Sequence, residues 1–282
     1  MLREKTALDD FHHPFVVALH ATYQDPEHLY FLLDLAQGGE LFRVMEQLDK
    51  LQEPMARFYT GSLTLALQHI HSREYVYRDL KPENVVIDSR GFIKLCDFGF
   101  AKRVVHRTFT QCGTPDYVAP EMLMGQGINS AADWWALGVL LYEMVYGFPP
   151  FTDKDGNEMK TFANILKGEL AFPRSFQISR QAKDLLHGLL RVKVSARLGH
   201  AKGGAEDIIA HPWFSGAEFD WIGLVNLTLE VPWKPRLRTS DDTRFFGHDV
   251  EREFADQASS TGDVVPQEEY SNWAHVWEAF SE

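Results

Sequence analysis

Apolar and polar positions along this chain divide it into regimes. Residues 1–11 carry Leu2, Leu8 and Phe11 on one helical face, and no capping residue precedes them. The spacing predicts a helix that begins inside an element. Residues 15–24 and 29–35 are β-rich runs around Asp25-Pro26-Glu27-His28, the pattern of a hairpin. Two strands and one helix bury too little to be stable alone. From residue 38 the pattern turns mostly helical. Pro54 suits a first turn, and Met55, Phe58, Tyr59, Leu63, Leu67 and Ile70 follow at helical spacing. Residues 85–87 and 93–96 predict a second, smaller hairpin about the turn Asp88-Ser89-Arg90-Gly91. Residues 131–146 are apolar nearly all round, as in a helix buried at a domain centre. Further helices fit 178–191 and 204–210. After His211-Pro212-Trp213-Phe214 the regularity fades, and Pro232, Pro235 and the acidic stretch 241–269 predict a tail laid over a surface.

Composition narrows the class. The 282 residues are 45% hydrophobic and 24% charged, which excludes wholesale disorder. A net charge of −12 argues against nucleic acid or an anionic membrane as the main partner and suits basic substrates. The acidity is concentrated: residues 241–282 hold eleven acids against Arg244 and Arg252. Two cysteines, Cys96 and Cys112, fit reduced intracellular thiols. The first thirteen residues do not form a signal peptide, and the longest apolar run, nine residues from 134 to 142, is about half a membrane span. A cytoplasmic chain without a membrane span is expected. His12-His13 and His69-x-His71 have no partner set at metal-finger spacing, so structural or surface roles are expected.

The densest chemistry lies in Tyr77-Arg78-Asp79-Leu80-Lys81-Pro82-Glu83-Asn84, followed thirteen residues after Asn84 by Asp97-Phe98-Gly99. Asp79 is a carboxylate on a loop two residues from a cation. Asn84 and Asp97 supply the hard oxygens that Mg²⁺ takes when it also holds phosphate. Phosphoryl transfer is catalysed mostly by positioning and by neutralising charge on oxygen, so a base, a lysine and two metal oxygens form half of such a site.

With Ala119-Pro120-Glu121, these motifs stand in the order and spacing of eukaryotic protein kinases, and the chain resembles that family. Tyr in place of His before Arg78-Asp79, the run 97–102, Cys112-Gly113-Thr114-Pro115-Asp116-Tyr117, Asp133-Trp134-Trp135-Ala136-Leu137-Gly138 and His211-Pro212-Trp213-Phe214 resemble the AGC group, within it the cAMP- and cGMP-dependent Ser/Thr kinases. The resemblance implies an α+β kinase fold. It would be mainly the helical C-lobe (36–214), with a truncated N-lobe of a partial helix and two strands (1–35) and an AGC-type tail (215–282).

By the same resemblance, Asp79 would orient the substrate hydroxyl and accept its proton, Lys81 would steady the γ-phosphate, and Asn84 and Asp97 would hold Mg²⁺. ATP would meet Leu33 as gatekeeper, the hinge backbone at Asp34 and Ala36, and Val86 and Cys96. Glu40 and Glu83 border both the nucleotide and the substrate. With Glu143 they match the acids that read arginines, so substrates would be basic, with Gln111, Pro115 and Val118 facing the peptide beyond the phosphorylated residue. Thr110 matches an activation-loop phosphosite, toward which Arg78, Lys102 and Arg107 could converge. Glu121 and Arg197 match a buried structural pair, and Trp277-Glu278-Ala279-Phe280 a tail segment that docks on the small lobe. A cyclic-nucleotide-binding regulatory subunit or domain is an implied partner.

Other positions depart from the family. No G-x-G-x-x-G or strand lysine precedes Glu4, which matches the helix glutamate that would pair with that lysine; the only G-x-G, at Gly125–Gly127, lies beyond the Ala119-Pro120-Glu121 motif. Phe246-Gly247-His248-Asp249 replaces the tail motif whose aromatic approaches ATP. One alternative therefore stays open, a catalytically inactive truncated kinase that binds peptides or a regulatory subunit; a generic metal-dependent phosphotransferase is disfavoured, since the peptide-reading acids and Ala119-Pro120-Glu121 would then have no purpose.

Overall fold

The computed structural model describes residues 1–25, 28–104, 114–174, 176–239 and 242–246. Helix α1 (Leu2–Asp10) buries Ala7 and Leu8, with Phe11 beside them. Leu2, expected on that face, is instead exposed, because it borders an open cavity shared with Arg3, Thr6, Tyr75, Lys102 and Arg103. Strands β1 (Leu19–Gln24) and β2 (Leu29–Leu33) pair antiparallel, from Leu19 opposite Leu33 to Gln24 opposite Leu29. The Asp25 carboxylate fixes their turn by accepting the His28 N–H at 2.7 Å and the Tyr30 hydroxyl at 2.5 Å.

The first strand starts four residues later than its pattern predicts. Phe15, Val16 and Val17 are buried and annexed by the second hairpin, where Leu95 N–H donates to Phe15 at 2.9 Å and Val17 N–H donates to Leu95 at 3.0 Å. An apolar run long enough for one strand thus serves two sheets.

Next come α2 (Leu41–Leu48), α3 (Glu53–Ser72), β3 (Tyr75–Val76), β4 (Val85–Ile87), β5 (Ile93–Leu95) and β6 (Lys102–Arg103). β4 pairs with β5, and β3 with β6, both antiparallel. Then follow α4 (Pro120–Leu123), α5 (Ala131–Tyr146), α6 (Glu158–Lys167), α7 (Arg180–Leu189), α8 (Ala205–Ile209), α9 (Pro212–Ser215) and α10 (Trp221–Val225). Helix α5 is the centre: every residue but Glu143 is buried, and it stops at Gly147 in the left-handed region at φ 82°. Helices α3 and α7 pack on it.

The pattern missed α6 and α10 because caps define them better than apolar faces do. Asn157 accepts Lys160 N–H at 3.1 Å and Gly168 closes α6 at φ 65°, while Asp220 accepts Gly223 N–H at 2.8 Å at the head of α10. A buried bidentate pair, Arg197 on Glu121 at 2.7 and 2.8 Å, ties the segment after α7 to α4, with the guanidinium 5.1 Å over the Trp135 ring. The tail runs back over the second hairpin and α2: a Cβ on Gly91 would meet the Trp233 carbonyl at 2.3 Å, and one on Gly39 that of Phe245 at 2.4 Å. Residues 247–249 and 277–280 lie outside the described residues. None of the described helices is long and apolar enough to cross a membrane.

Candidate active site

The loop between β3 and β4 is held from beneath by α5. Asp133, 1% exposed in the first turn of α5, accepts the backbone N–H groups of Tyr77 at 2.9 Å and Arg78 at 2.8 Å, and its Oδ2 lies 2.7 Å from His71 Nε2 on α3. Arg78 takes φ 72°, costly for a non-glycine residue, and the two bonds to Asp133 hold it there. The turn delivers Asp79 to the floor of a cleft. Its buried carboxylate accepts Asn84 Nδ2 at 2.7 Å and lies 3.3 Å from Lys81 Nζ. Asn84 Nδ2 also donates to the Asp79 carbonyl at 2.8 Å, which leaves the amide oxygen as the remaining donor toward a cation.

Asp97 follows β5 at φ 53° and accepts Gly99 N–H at 3.1 Å. Next to it Phe98 is fully buried, with ring centroids 5.2 Å from Phe11 and 5.3 Å from Tyr77. Tyr77 donates its hydroxyl to the Cys96 carbonyl at 2.5 Å. This aromatic stack couples α1, the catalytic-type loop and the Asp97 segment. Burial and the charge of Asp97 push the Glu4 carboxyl on α1 above its ordinary range. Asp97 and the Asn84 amide oxygen are hard oxygen donors of the kind a divalent cation takes. Burial drives the Cys96 thiol up to about 12, and it donates to the Asn84 carbonyl at 3.3 Å, so it is a packed thiol, not a nucleophile.

On the opposite side, residues 34–39 link β2 to α2. Leu33 is 37% exposed and Ala36 is buried. Gly38 N–H donates to Ile87 at 2.7 Å, Ile87 N–H donates to Gly39 at 2.8 Å, and Glu40 bridges Val86, so this linker is stitched to β4. The Asp34 side chain accepts Lys94 from β5 at 2.8 Å and Ala18 N–H at 3.0 Å, and meets His20 at 2.8 Å. Burial alone would raise its pKa; those hydrogen bonds outweigh it and hold the carboxyl below its usual range.

A third group is acidic. Glu40 is raised by burial and by Glu83. Glu143, the one half-open residue of α5, accepts the Tyr117 hydroxyl, and burial with the charges of Glu83 and Asp116 pushes it up to about 7. The structure thus brings Glu40, Glu83 and Glu143 into one electrostatic neighbourhood. Pro115 opens the short turn 115–117, and Val118 is buried, lining a small pocket with Asp79, Thr114 and Ala136. Arg78 donates Nε and Nη2 to the Phe100 carbonyl at 2.8 and 2.5 Å, and Lys102 sits in β6 opposite Val76. Arg107, Thr110, Gln111 and Cys112 lie outside the described residues.

Sequence reading assigned no part in the site to Asp133, Tyr117 or Lys94, and gave His71 only a structural or surface role. Asp133 carried a signal: a carboxylate in the first turn of a helix that is apolar nearly all round must have partners. Nothing local marked the others.

Residues 1–214 match the protein kinase domain family. The chain belongs to this family. It is 42% identical over 252 residues to cAMP-dependent protein kinase type 3 of Saccharomyces cerevisiae, covering 89% of this chain and 62% of that protein. To the cAMP-dependent protein kinase catalytic subunit of Dictyostelium discoideum it is 42% identical over 280 residues, 98% of this chain and 41% of that one. To the human catalytic subunit PRKX it is 42% identical over 243 residues, 86% of this chain and 66% of that one. This kinase-family chain therefore spans about two-fifths to two-thirds of the length of these relatives, and its likeness to them is of the AGC, cAMP-dependent type that its motifs suggested. The α+β, mostly helical fold is the kinase fold.

Proposed function

We propose that this chain carries the catalytic and peptide-reading half of a protein Ser/Thr kinase that transfers the ATP γ-phosphate to basic substrates. One observation carries the reading: a buried Asp79 held between Asn84 and Lys81 on a loop whose backbone is fixed by Asp133. Asp79 would orient the substrate hydroxyl and accept its proton, and Lys81 would steady the phosphoryl oxygens. Asn84 and Asp97 are the residues that would hold Mg²⁺, which supplies charge neutralisation on the phosphates. Leu33, Val86 and Cys96, with the backbone at Asp34 and Ala36, would face adenine.

Glu40, Glu83 and Glu143 would receive guanidinium groups of the peptide, with Pro115, Val118 and Gln111 beyond the acceptor residue. Thr110 would be phosphorylated and gathered by Arg78, Lys102 and Arg107. Residues 1–35, 36–214 and 215–282 act as small-lobe segment, catalytic lobe and tail. A cyclic-nucleotide-binding regulatory partner and a cytoplasmic setting follow from the same kinship.

A second reading has its own support. The acidic neighbourhood of Glu40, Glu83 and Glu143 could hold arginines whether or not phosphate is transferred. The chain would then dock basic peptides or a regulatory subunit without transferring phosphate. A paired assay separates the two: MgATP-dependent thermal shift, and transfer of labelled phosphate to a peptide with two arginines before a serine, each repeated with Asp97→Ala. Transfer that the variant abolishes supports catalysis. Arginine-peptide binding without nucleotide shift or transfer overturns it in favour of docking.

A further inference from the structure

The molecule is acidic overall, but one face is not. Residues 167–193 hold six lysines and arginines and two acids, a net charge of +4 that leaves −16 for the rest of the chain. These cations form two antiparallel rows. One row is α7 and its exit: Arg180 and Lys183, at i and i+3, lie within about a sixth of a turn of one another around the helical axis, and Arg191 and Lys193 follow just beyond its C-terminal end. The other row runs from Lys167 at the end of α6 to Arg174. Its register against α7 is fixed by packing. A Cβ on Gly168 would meet Val192 at 2.3 Å, the Phe172 ring lies 5.2 Å from His187, and Lys183 Nζ stands 5.5 Å over Phe172.

The cations are uncompensated. Lys167, Arg174, Arg180, Arg191 and Lys193 are exposed, and, with Lys183, none forms an ion pair among the described residues. Of the two acids, Asp184 turns to His211 Nε2 at 3.3 Å. Six like charges held side by side raise the self-energy of the native state, and nothing within the described chain offsets it. Nor does the candidate active site use them: its peptide-reading groups are Glu40, Glu83 and Glu143, of the opposite sign.

We propose that this two-row basic face docks an acidic linear segment of a partner protein. The shape of the charge selects that occupant. α7 is about 15 Å long, the span of roughly four to five extended residues. A segment of that length touches the stripe alone, within a Debye length of about 8 Å. A membrane surface or a nucleic-acid duplex is far larger than the stripe and meets a chain whose net charge is −12, which repels both.

The test uses the full chain and a fluorescein-labelled peptide of about twelve residues that alternates glutamate with glycine, followed by anisotropy at about 50 mM salt. Binding is expected to weaken at least about tenfold in Lys183→Glu/Arg191→Glu/Lys193→Glu, and to a lesser degree in the corresponding Gln triple. The control Lys154→Glu/Lys160→Glu/Arg236→Glu carries the same net charge and is expected to bind like the parent. Arginine-peptide phosphorylation, if present, should be unchanged in all three. Equal loss in the face and control variants, or no binding by the parent, overturns the proposal. So does tighter, stripe-dependent binding to phosphatidylserine vesicles or duplex DNA. Neutralising Glu251, Glu253 and Asp256 together and finding binding tightened tenfold would make the chain's own acidic segment the occupant, which also overturns a partner.

Discussion

The loop at 77–84 and the hairpin β1–β2 stand at opposite ends of a scale of support. The loop is fastened to the most buried helix of the molecule, and a single carboxylate there fixes two of its backbone N–H groups and a histidine. The hairpin has one other strand on neither edge among the described residues, and it exposes Tyr30, Leu32 and Leu33, with Leu35 just after it. The loop that carries Asp79 is therefore preorganised by the core, whereas the linker at 34–39 adjoins a two-stranded sheet pinned through Asp34. The difference teaches where binding energy must be spent. A ligand held by the loop would meet groups already fixed, whereas one held by the exposed hairpin residues would have to order them on binding.

The sharpest way to break this contrast is at its anchor. Asp133→Ala leaves two buried N–H groups without acceptors and is expected to cost about 3–5 kcal/mol, lowering the denaturation midpoint and abolishing any transfer. Asp133→Asn, which keeps one acceptor oxygen, should cost less, and equal stability of both variants with the parent would show that the loop holds itself.

Acid should loosen the junction of the two regions next. His13 and His69, rings 4.9 Å apart where the segment after α1 meets α3, are each lowered to about 4, His13 by burial and then by His69, Arg73 and Lys94, His69 by burial and then by Arg73 and His12. Their pKa values fall on folding, so the unfolded chain binds more protons as pH drops below about 6.5. Stability is expected to be full above 6.5 and to decline toward pH 4. His13→Phe/His69→Phe, which keeps the aromatic packing, should flatten that decline in a pH series of melts.

A smaller change tests the linker. Lys94→Met removes the bond to Asp34 and one to the Pro14 carbonyl at 3.3 Å. We expect a loss of about 1–2 kcal/mol and weaker binding of an ATP analogue, with arginine-peptide binding unaltered; calorimetry with each ligand distinguishes them.

Glu143 sharpens the contrast from the other side. Its pKa is raised, so its contribution to stability is present below the unfolded value near 4.5 and is lost as pH rises through about 7. Glu143→Gln should therefore stabilise the chain at pH 8 by about 1 kcal/mol, a figure discounted for partial exposure. In the parent, affinity for an arginine peptide should fall as pH drops below about 7, a dependence the variant lacks. The smallest effect is expected at Leu35, 60% exposed: Leu35→Ser should leave the melting temperature nearly unchanged, within about 0.5 kcal/mol, while reducing self-association in light scattering.

Much of the fold was legible in the chain. Residues 131–146 declared a buried helix because nearly every side of it is apolar, and Pro54 marked the start of α3. The catalytic-type run was legible because its residues are adjacent in sequence, so no folding is needed to see Asp79, Lys81 and Asn84 together. The extent of β1 was not, since Phe15–Val17 choose between two sheets on tertiary grounds. The exposure of Leu2 was not, since whether a helix end is covered is set by distant chain.

The sequence by itself determined the elements, the family and the identity of the chemical groups, since periodicity and contiguous motifs are local properties. Only the tertiary structure decided that Asp133 would hold the loop from 55 residues away, that Lys94 would clamp Asp34, and that the charge of Glu83 would help raise the proton affinity of both Glu40 and Glu143. It also decided that cations at 167–174 and 180–193 would form one face. Each of these depends on distances between residues far apart along the chain, and electrostatic energy follows distance in space, to which spacing along the sequence is no guide.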